Sequence, residues 1–164
     1  MAKGVHLFGQ TISGTLGSAL TTLSQVSTDL GNERLNETRS KRGNGMPARI
    51  LVVEDQPEVR EVTLAMVKAL GHETVGAADG AEALALLRSD PFDLALLDIA
   101  LPDMSGEQVA EIILNESLDV AVAFVTGLAV SGVRETLADN WPDQALLAKP
   151  YRLADLRAVL ERSL

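Results

Sequence analysis

Short apolar segments alternate with amphipathic segments through the second part of the chain. The apolar segments read RILVV, ETVGA, DLALLD, VAVAFVT and QALLAK, at residues 49–53, 73–77, 93–98, 120–126 and 144–149. Their length and their content of aliphatic and β-branched residues are typical of buried strands. We therefore predict five strands.

Each predicted strand is followed by a segment that can form a helix, at residues 57–70, 79–89, 106–115, 131–139 and 152–163. Pro57 is a favourable first helical residue, and Gly71 marks the end of the first helix. Asp79 and Glu82 have the spacing of a capping box at the start of the second. Continuous apolar strands that alternate with such helices indicate an α/β fold: a doubly wound five-stranded parallel sheet with five helices.

The first 45 residues have a different character. Apolar residues recur there at three- or four-residue steps, at Phe8, Ile12, Leu16, Leu20, Leu23, Val26 and Leu30. This spacing marks one face of a helix, but glycines and many Ser and Thr residues weaken it. We predict that residues 1–45 are an N-terminal extension, flexible or weakly helical. A start-site artefact, a partner or dimerisation helix and, less favoured, a signal peptide are the other readings.

A linker separates this extension from a globular domain at residues 46–164. The junction SKRGNGMPAR, residues 40–49, combines basic residues with glycines and a proline. The extension holds five of the 14 basic and three of the 23 acidic residues, so the domain holds the other nine and twenty. We therefore place the boundary near Met46 and assign the acidity to the domain.

Composition excludes several classes of function. The chain of 164 residues has a formal net charge of -9, which disfavours direct binding to nucleic acid. It has no cysteine, so disulfides, thiolate nucleophiles and cysteine-ligated metals are excluded. No apolar segment approaches the roughly 20 residues of a membrane span. We expect a protein without a membrane span that acts in the cytoplasm.

Polar residues follow four of the five predicted strands. Glu54 and Asp55 follow the first, Asp98 ends the third, Thr126 the fourth and Lys149 the fifth. Because parallel strands end at one edge of a sheet, these side chains should converge there. Taken singly, an Asp at a strand end is usually a turn residue and a Lys a solvated charge. Their convergence is what indicates chemistry.

The predicted cluster suits phosphoryl transfer to a carboxylate. Three neighbouring carboxylates repel one another unless they share a cation. Oxygen ligands without His or Cys favour Mg²⁺. Asp98 would be the nucleophile, Lys149 would neutralise phosphoryl oxygens and Thr126 would donate a hydrogen bond to one of them. Asp103, in the loop after Asp98, is expected to be solvated.

From Arg49 to Leu164 the chain resembles the receiver domain of two-component response regulators. The resemblance rests on four motifs in order: LVVEDQP, LLDIALPDMSG, FVTG and AKPY. It implies the flavodoxin-like strand order 2-1-3-4-5. It also implies that Asp98 accepts a phosphoryl group from a histidine kinase or a histidine phosphotransfer protein, with Thr126 and Lys149 as the other catalytic residues.

The resemblance also implies the metal site and one backbone feature. Asp55 and Asp98 would bind Mg²⁺ directly, Glu54 through water, and the backbone carbonyl of Ala100 would be a further ligand. The peptide bond between Lys149 and Pro150 should be cis.

The same resemblance implies an output through protein contacts. On phosphorylation, the loop at residues 127–131 should rearrange. The change should reach a face made of the fourth predicted helix, the fifth strand and the fifth helix, where a downstream protein binds. We expect no output domain after Leu164, and we expect no enzymatic activity beyond the chain's own phosphorylation and dephosphorylation.

Three alternatives stay open. Leu146 stands where receivers usually carry Tyr or Phe, and Ala129 where a single-domain subgroup carries Tyr. Leu146 suits a phosphate sink or relay intermediate without conformational output. An aspartyl-phosphate phosphatase of the haloacid-dehalogenase type is disfavoured, because Ala100 stands where its second Asp would be. A phosphorylation-independent interaction module is disfavoured because every chemical position is filled.

Overall fold

The computed structural model describes residues 46–127, 141 and 144–164. Its elements are β1 Arg49–Val53, α1 Pro57–Ala69, β2 Glu73–Ala77, α2 Gly80–Ser89, β3 Leu94–Asp98, α3 Gly106–Asn115, β4 Ala121–Thr126, β5 Ala145–Ala148 and α4 Leu153–Ser163. All five predicted strands are present, with ends that differ by at most one residue. Four of the predicted helices are present. The helix predicted at 131–139 and the extension at 1–45 lie outside the described residues.

The strands form one parallel sheet in the order β2-β1-β3-β4-β5. This confirms the predicted fold class and strand order. The order places β1 and β3 side by side at the centre, although α1, β2 and α2 separate them along the chain. The carboxyl ends of these two strands, which carry the acidic residues, therefore lie next to each other.

Helices cover both faces of the sheet because strand side chains alternate in direction. Leu51 and Val53 of β1 belong to the hydrophobic cluster that includes residues of α2 and α3. Ile50 and Val52 belong to the opposite cluster, with residues of α1 and α4. Full burial of each such side chain contributes about 1.5–3 kcal/mol. None of the helices among the described residues has the length and apolar character to span a membrane.

Candidate functional site

Three carboxylates lie together at the carboxyl-terminal edge of the sheet. Glu54 and Asp55 follow β1, and Asp98 is the last residue of β3. One carboxylate oxygen from each residue lies within 4.8 Å of the other two. Glu54 and Asp98 are buried, whereas Asp55 is half-buried. The acidic residues that were predicted to converge do so.

Lys149 brings a positive charge into this group. Its ammonium nitrogen lies 2.5 Å from Asp98 Oδ2 and also contacts the carboxylate of Glu54. The backbone N–H of Lys149 donates to the carbonyl of Thr126 at 2.7 Å, which fixes the end of β5 beside the end of β4. The peptide bond between Lys149 and Pro150 is cis, which confirms the expectation from the resemblance.

Burial and charge act in opposite directions on these groups. Burial raises the pKa of Glu54 above its ordinary value, and the neighbouring ammonium of Lys149 only partly offsets this. Burial alone would lower the pKa of Lys149, but hydrogen bonds to Asp98 and Glu54 outweigh it and the net pKa is raised. Lys149 is therefore held as a cation, among carboxylates that would gain from further positive charge.

Thr126 lies at the same edge. It is the last residue of β4, is only 1% exposed, and stands beside Ala148 in the sheet. Leu146, in the position of the usual aromatic residue, is half-buried and packs against the cluster on the α2 and α3 side. Thr126 is therefore placed as predicted, and Leu146 is an ordinary packing residue in this conformation.

The chain turns back sharply after Asp98. The N–H of Ala100 donates to Asp98 Oδ1 at 3.0 Å, and the N–H of Gly106 donates to the carbonyl of Ile99 at 3.1 Å. A side chain at Gly106 would overlap the carbonyl oxygen of Asp98, so only glycine fits there. A bridge between Ala100 and Ser105 closes the loop. The backbone of Ala100 thus lies beside the carboxylate, and its carbonyl remains a predicted metal ligand.

Two polar side chains outside the predicted site hold its loops. Arg60, on α1, donates from one nitrogen to the carbonyls of Glu54 at 2.6 Å and Asp55 at 3.3 Å. The sequence predicted that Asp103 is solvated, and this prediction was incomplete. The side chain is exposed, but it also accepts hydrogen bonds from the start of α2. The sequence offered one signal for Arg60, a basic residue one helical turn into α1. It offered none for Asp103, since its partners lie more than 20 residues away.

Tyr151 joins the end of β5 to α1. Its hydroxyl lies 2.5 Å from Thr63 Oγ1, and Thr63 Oγ1 donates to the carbonyl of Val59 at 2.8 Å. Because the only proton of the Thr63 hydroxyl is used in that bond, the Tyr151 hydroxyl is the donor. Burial raises the pKa of Tyr151 above its ordinary value. The residue after the cis proline is thereby fixed.

The donor set fits a magnesium ion. Three carboxylates offer oxygen atoms alone, with no His or Cys among them, which is the chemistry that Mg²⁺ prefers. The two buried carboxylates, of Glu54 and Asp98, share contact with a single ammonium group, that of Lys149. Negative charge therefore exceeds positive charge among these contacts. The residues are therefore suited to a hard divalent cation.

The chain is similar to known receiver proteins. The family profile of the response regulator receiver domain matches residues 50–161. Over 116 residues the chain is 31% identical to the response regulator receiver protein CpdR of Brucella abortus. The aligned part covers 71% of this chain and 96% of CpdR. It is 30% identical over 128 residues to the probable transcriptional regulatory protein TcrX of Mycobacterium tuberculosis, but spans only 54% of that protein.

Solved structures agree with the fold. The response regulator TrrA of Thermotoga maritima, solved in complex with Mg(2+)-BeF, is 29% identical, with a TM-score of 0.64. The similarity covers 73% of this chain and 100% of TrrA. The family match spans most of the chain. It includes the three clustered carboxylates of Glu54, Asp55 and Asp98, together with Thr126 and Lys149. On this evidence, the chain belongs to the response regulator receiver domain family.

Proposed function

We propose that this chain is a phospho-accepting switch of a two-component system or phosphorelay, with Asp98 as the phosphoryl acceptor. One observation carries the proposal: the Lys149 ammonium contacts both Asp98 and Glu54 at the edge of the sheet where Asp55 also lies. A carboxylate in this setting can take up a phosphoryl group whose charge is balanced locally. The donor would be a histidine kinase or a histidine phosphotransfer protein, and the compartment the bacterial cytoplasm.

Glu54, Asp55 and Asp98, with the backbone carbonyl of Ala100, would hold Mg²⁺. When bound, the ion reduces the repulsion between the Asp98 carboxylate and the oxygens of the incoming phosphoryl group. Support comes from the carboxylate cluster itself and from the Mg(2+)-BeF complex of the similar protein TrrA. Arg60 would support this set indirectly, by holding the backbone carbonyls of Glu54 and Asp55.

The residues of the chain would act mainly by position and charge. A carboxylate oxygen of Asp98 forms a bond to phosphorus while the phosphorus–nitrogen bond of the donor phosphohistidine breaks, and the released imidazole takes a proton from solvent. The ammonium of Lys149, already beside Asp98, donates to one phosphoryl oxygen, and the hydroxyl of Thr126 to another. The chain thus modifies only itself and is not an enzyme acting on a separate substrate.

Phosphorylation would then change the contacts of Lys149. The new group adds about -1.5 to -2 charge at the end of β3. Lys149 must turn from the carboxylates of Asp98 and Glu54 toward this group, and its backbone is bonded to Thr126 at the end of β4. The change would reach β5 and α4, the described part of the face that we expect to bind a downstream protein.

A phosphate sink or relay intermediate is the second candidate. Leu146 favours it, because an aliphatic side chain that already packs against the core has no ring to turn inward after phosphorylation. The phosphoryl chemistry would be the same. The two candidates differ in whether a partner binds more tightly to the phosphorylated chain, and in how long the phosphoryl group lasts.

Intact-mass measurement after incubation with acetyl phosphate and Mg²⁺ tests the proposal. We expect the mass of one phosphoryl group to be added to the full chain, and not to Asp98→Asn. Omission of Mg²⁺ should suppress the addition. An absent phosphoryl group, or one that persists at the same level in Asp98→Asn, would overturn the assignment.

A further inference from the structure

The start of α2 is held by residues from two separate parts of the chain. From the residues just before the helix, the Asp79 carboxylate accepts from the N–H of Glu82 at 2.8 Å, and the N–H of Ala78 donates to the Glu82 carboxylate at 2.7 Å. The first two helical N–H groups, of Gly80 and Ala81, have no partner within α2. A free helix end exposes such groups to water or requires an external acceptor.

Asp103 supplies that acceptor. Its Oδ1 accepts from the N–H of Gly80 and its Oδ2 from the N–H of Ala81, both at 2.9 Å. Each carboxylate oxygen has its own donor, and the negative charge faces the positive end of the helix dipole. These hydrogen bonds, with that from Gly80 foremost, lower the pKa of Asp103, so the group is a carboxylate at neutral pH.

Asp103 lies in the loop that joins Asp98 to α3. The inner part of this loop is held at the site itself, by the bond from Ala100 to the Asp98 carboxylate and by the bridge from Ala100 to Ser105. The outer part is held by α2. Met104 packs so closely on Gly80 that a Cβ there would lie 2.5 Å from its Cγ.

The loop is therefore fastened at two points, one of which is the start of a helix outside the site. Without the second point, Ala100 would rely on Asp98 and Ser105 alone for its position. A mobile Ala100 would have to be ordered again each time a ligand is bound at Asp98, which lowers affinity.

We propose that Asp103 is a positioning residue for this site: by fastening the loop to the start of α2, it holds the backbone of Ala100 in place for metal binding and phosphoryl uptake at Asp98. The inference rests on the proposed function and adds to it a residue that touches neither metal nor phosphoryl group. Arg60 has the corresponding place on the other loop, at the end of β1.

The alternative is that Asp103 only stabilises α2. A matched control variant distinguishes this structural role from the proposed positioning role. Asp79→Ala removes a carboxylate cap from the same helix end but leaves the loop fastened. Asp103→Ala removes the cap that comes from the loop. Both variants should lower the melting temperature of the full chain by similar amounts.

Only Asp103→Ala should change the site. Calorimetric titration with Mg²⁺ should show an affinity roughly tenfold below wild type, the lower end of what the loss of supporting interactions usually costs a metal site. Amide hydrogen exchange at residues 99–105 should also speed up. Asp79→Ala should bind Mg²⁺ within about twofold of wild type, the size expected for a change away from the site.

Asp103→Asn provides the second variant, should Asp103→Ala fail to fold. It keeps one carbonyl acceptor and should fall between wild type and Asp103→Ala in both Mg²⁺ affinity and loop exchange. If the Asp103 variants match Asp79→Ala in affinity and loop exchange while the wild-type chain is phosphorylated, the inference is overturned and the proposed function stands. A wild-type chain that takes up no phosphoryl group from acetyl phosphate overturns the proposed function instead.

Discussion

The ammonium of Lys149 lies 2.5 Å from Asp98 Oδ2 and at the same time contacts the carboxylate of Glu54. One cation therefore joins the ends of β1, β3 and β5. The two carboxylates are almost fully buried, at 3% and 4% exposure for Glu54 and Asp98. The first prediction concerns the loss of this shared cation.

Lys149→Met should destabilise the protein in the absence of divalent ions. Removing one partner from a buried ion pair leaves its carboxylates uncompensated and costs about 3–5 kcal/mol in other proteins. We expect a loss of about 3 kcal/mol in the free energy of unfolding, measured by urea denaturation. Mg²⁺ should restore a larger share of the stability in the variant than it adds to wild type.

Lys68→Met, on the exposed surface of α1, is the control for the loss of a positive charge and should change stability by less than about 0.5 kcal/mol. An equal effect of the two substitutions would contradict the importance of the buried contacts.

Glu54→Gln should stabilise the protein at neutral pH in the absence of divalent ions. Because burial raises the pKa of Glu54 above the unfolded value of 4.5, its ionised form is less favourable in the folded chain than in the unfolded one. The cost is present above the folded pKa and disappears as the pH falls toward 4.5. The stability difference between variant and wild type should therefore shrink as the pH falls through that window.

Urea denaturation at a series of pH values, with a chelator present, measures this difference. Glu61→Gln, exposed on α1, serves as the control for the loss of a surface carboxylate and should change stability at neutral pH by less than about 0.5 kcal/mol. In Mg²⁺ titrations Glu54→Gln should bind the ion more weakly than wild type, since the variant loses a carboxylate of the proposed metal site. A Glu54→Gln variant less stable than wild type at pH 7 without metal would contradict the sign of this prediction.

Gly106→Ala should distort the loop after Asp98. The added Cβ would overlap the Asp98 carbonyl oxygen, and the backbone there cannot yield as a flexible side chain can. We expect a loss of about 1–3 kcal/mol in stability, the usual cost of overpacking, and slower phosphorylation by acetyl phosphate. Gly127→Ala is the stability control because a Cβ at that position meets no atom of the described residues within 4 Å. Equal melting temperatures for the two variants would contradict the steric argument.

Tyr151 gives a spectroscopic test of the packing between β5 and α1. It is the chain's single tyrosine, so phenolate absorbance reports on it alone. Because burial raises its pKa, the absorbance midpoint in the folded protein should lie above the ordinary value of 10.0. Denaturation in urea should return it to that value. A folded-state midpoint at or below 10.0 would show that the ring is solvated.

Tyr151→Phe should cost about 1 kcal/mol of stability, the usual net value of one hydrogen bond. In Thr63→Val the bond is already absent, so adding Tyr151→Phe to that variant should cost much less. A double-mutant cycle by urea denaturation measures the coupling between the two hydroxyls. Additive effects of the two substitutions would indicate that the hydroxyls do not interact.

The sequence determined the helices and strands, and it determined the edge of the sheet at which the polar residues meet. Apolar runs such as LALLD are typical of buried strands, and their alternation with amphipathic helices indicates that those strands are parallel. The polar residues that end the runs must then meet at one edge. For this reason Asp98, Glu54, Asp55, Thr126 and Lys149 could be placed together before any contact was known.

Only the tertiary structure decided which groups touch. Lys149 is 51 residues from Asp98 along the chain, and no local pattern states that its ammonium also reaches Glu54. Asp103 looked solvated because its partners, at the start of α2, lie 22 and 23 residues earlier. Periodicity reports the face that an element buries, whereas such contacts depend on how loops from different elements fold over the shared edge. These contacts are decided only once the strands have taken their order in the sheet and the loops have packed over its edge.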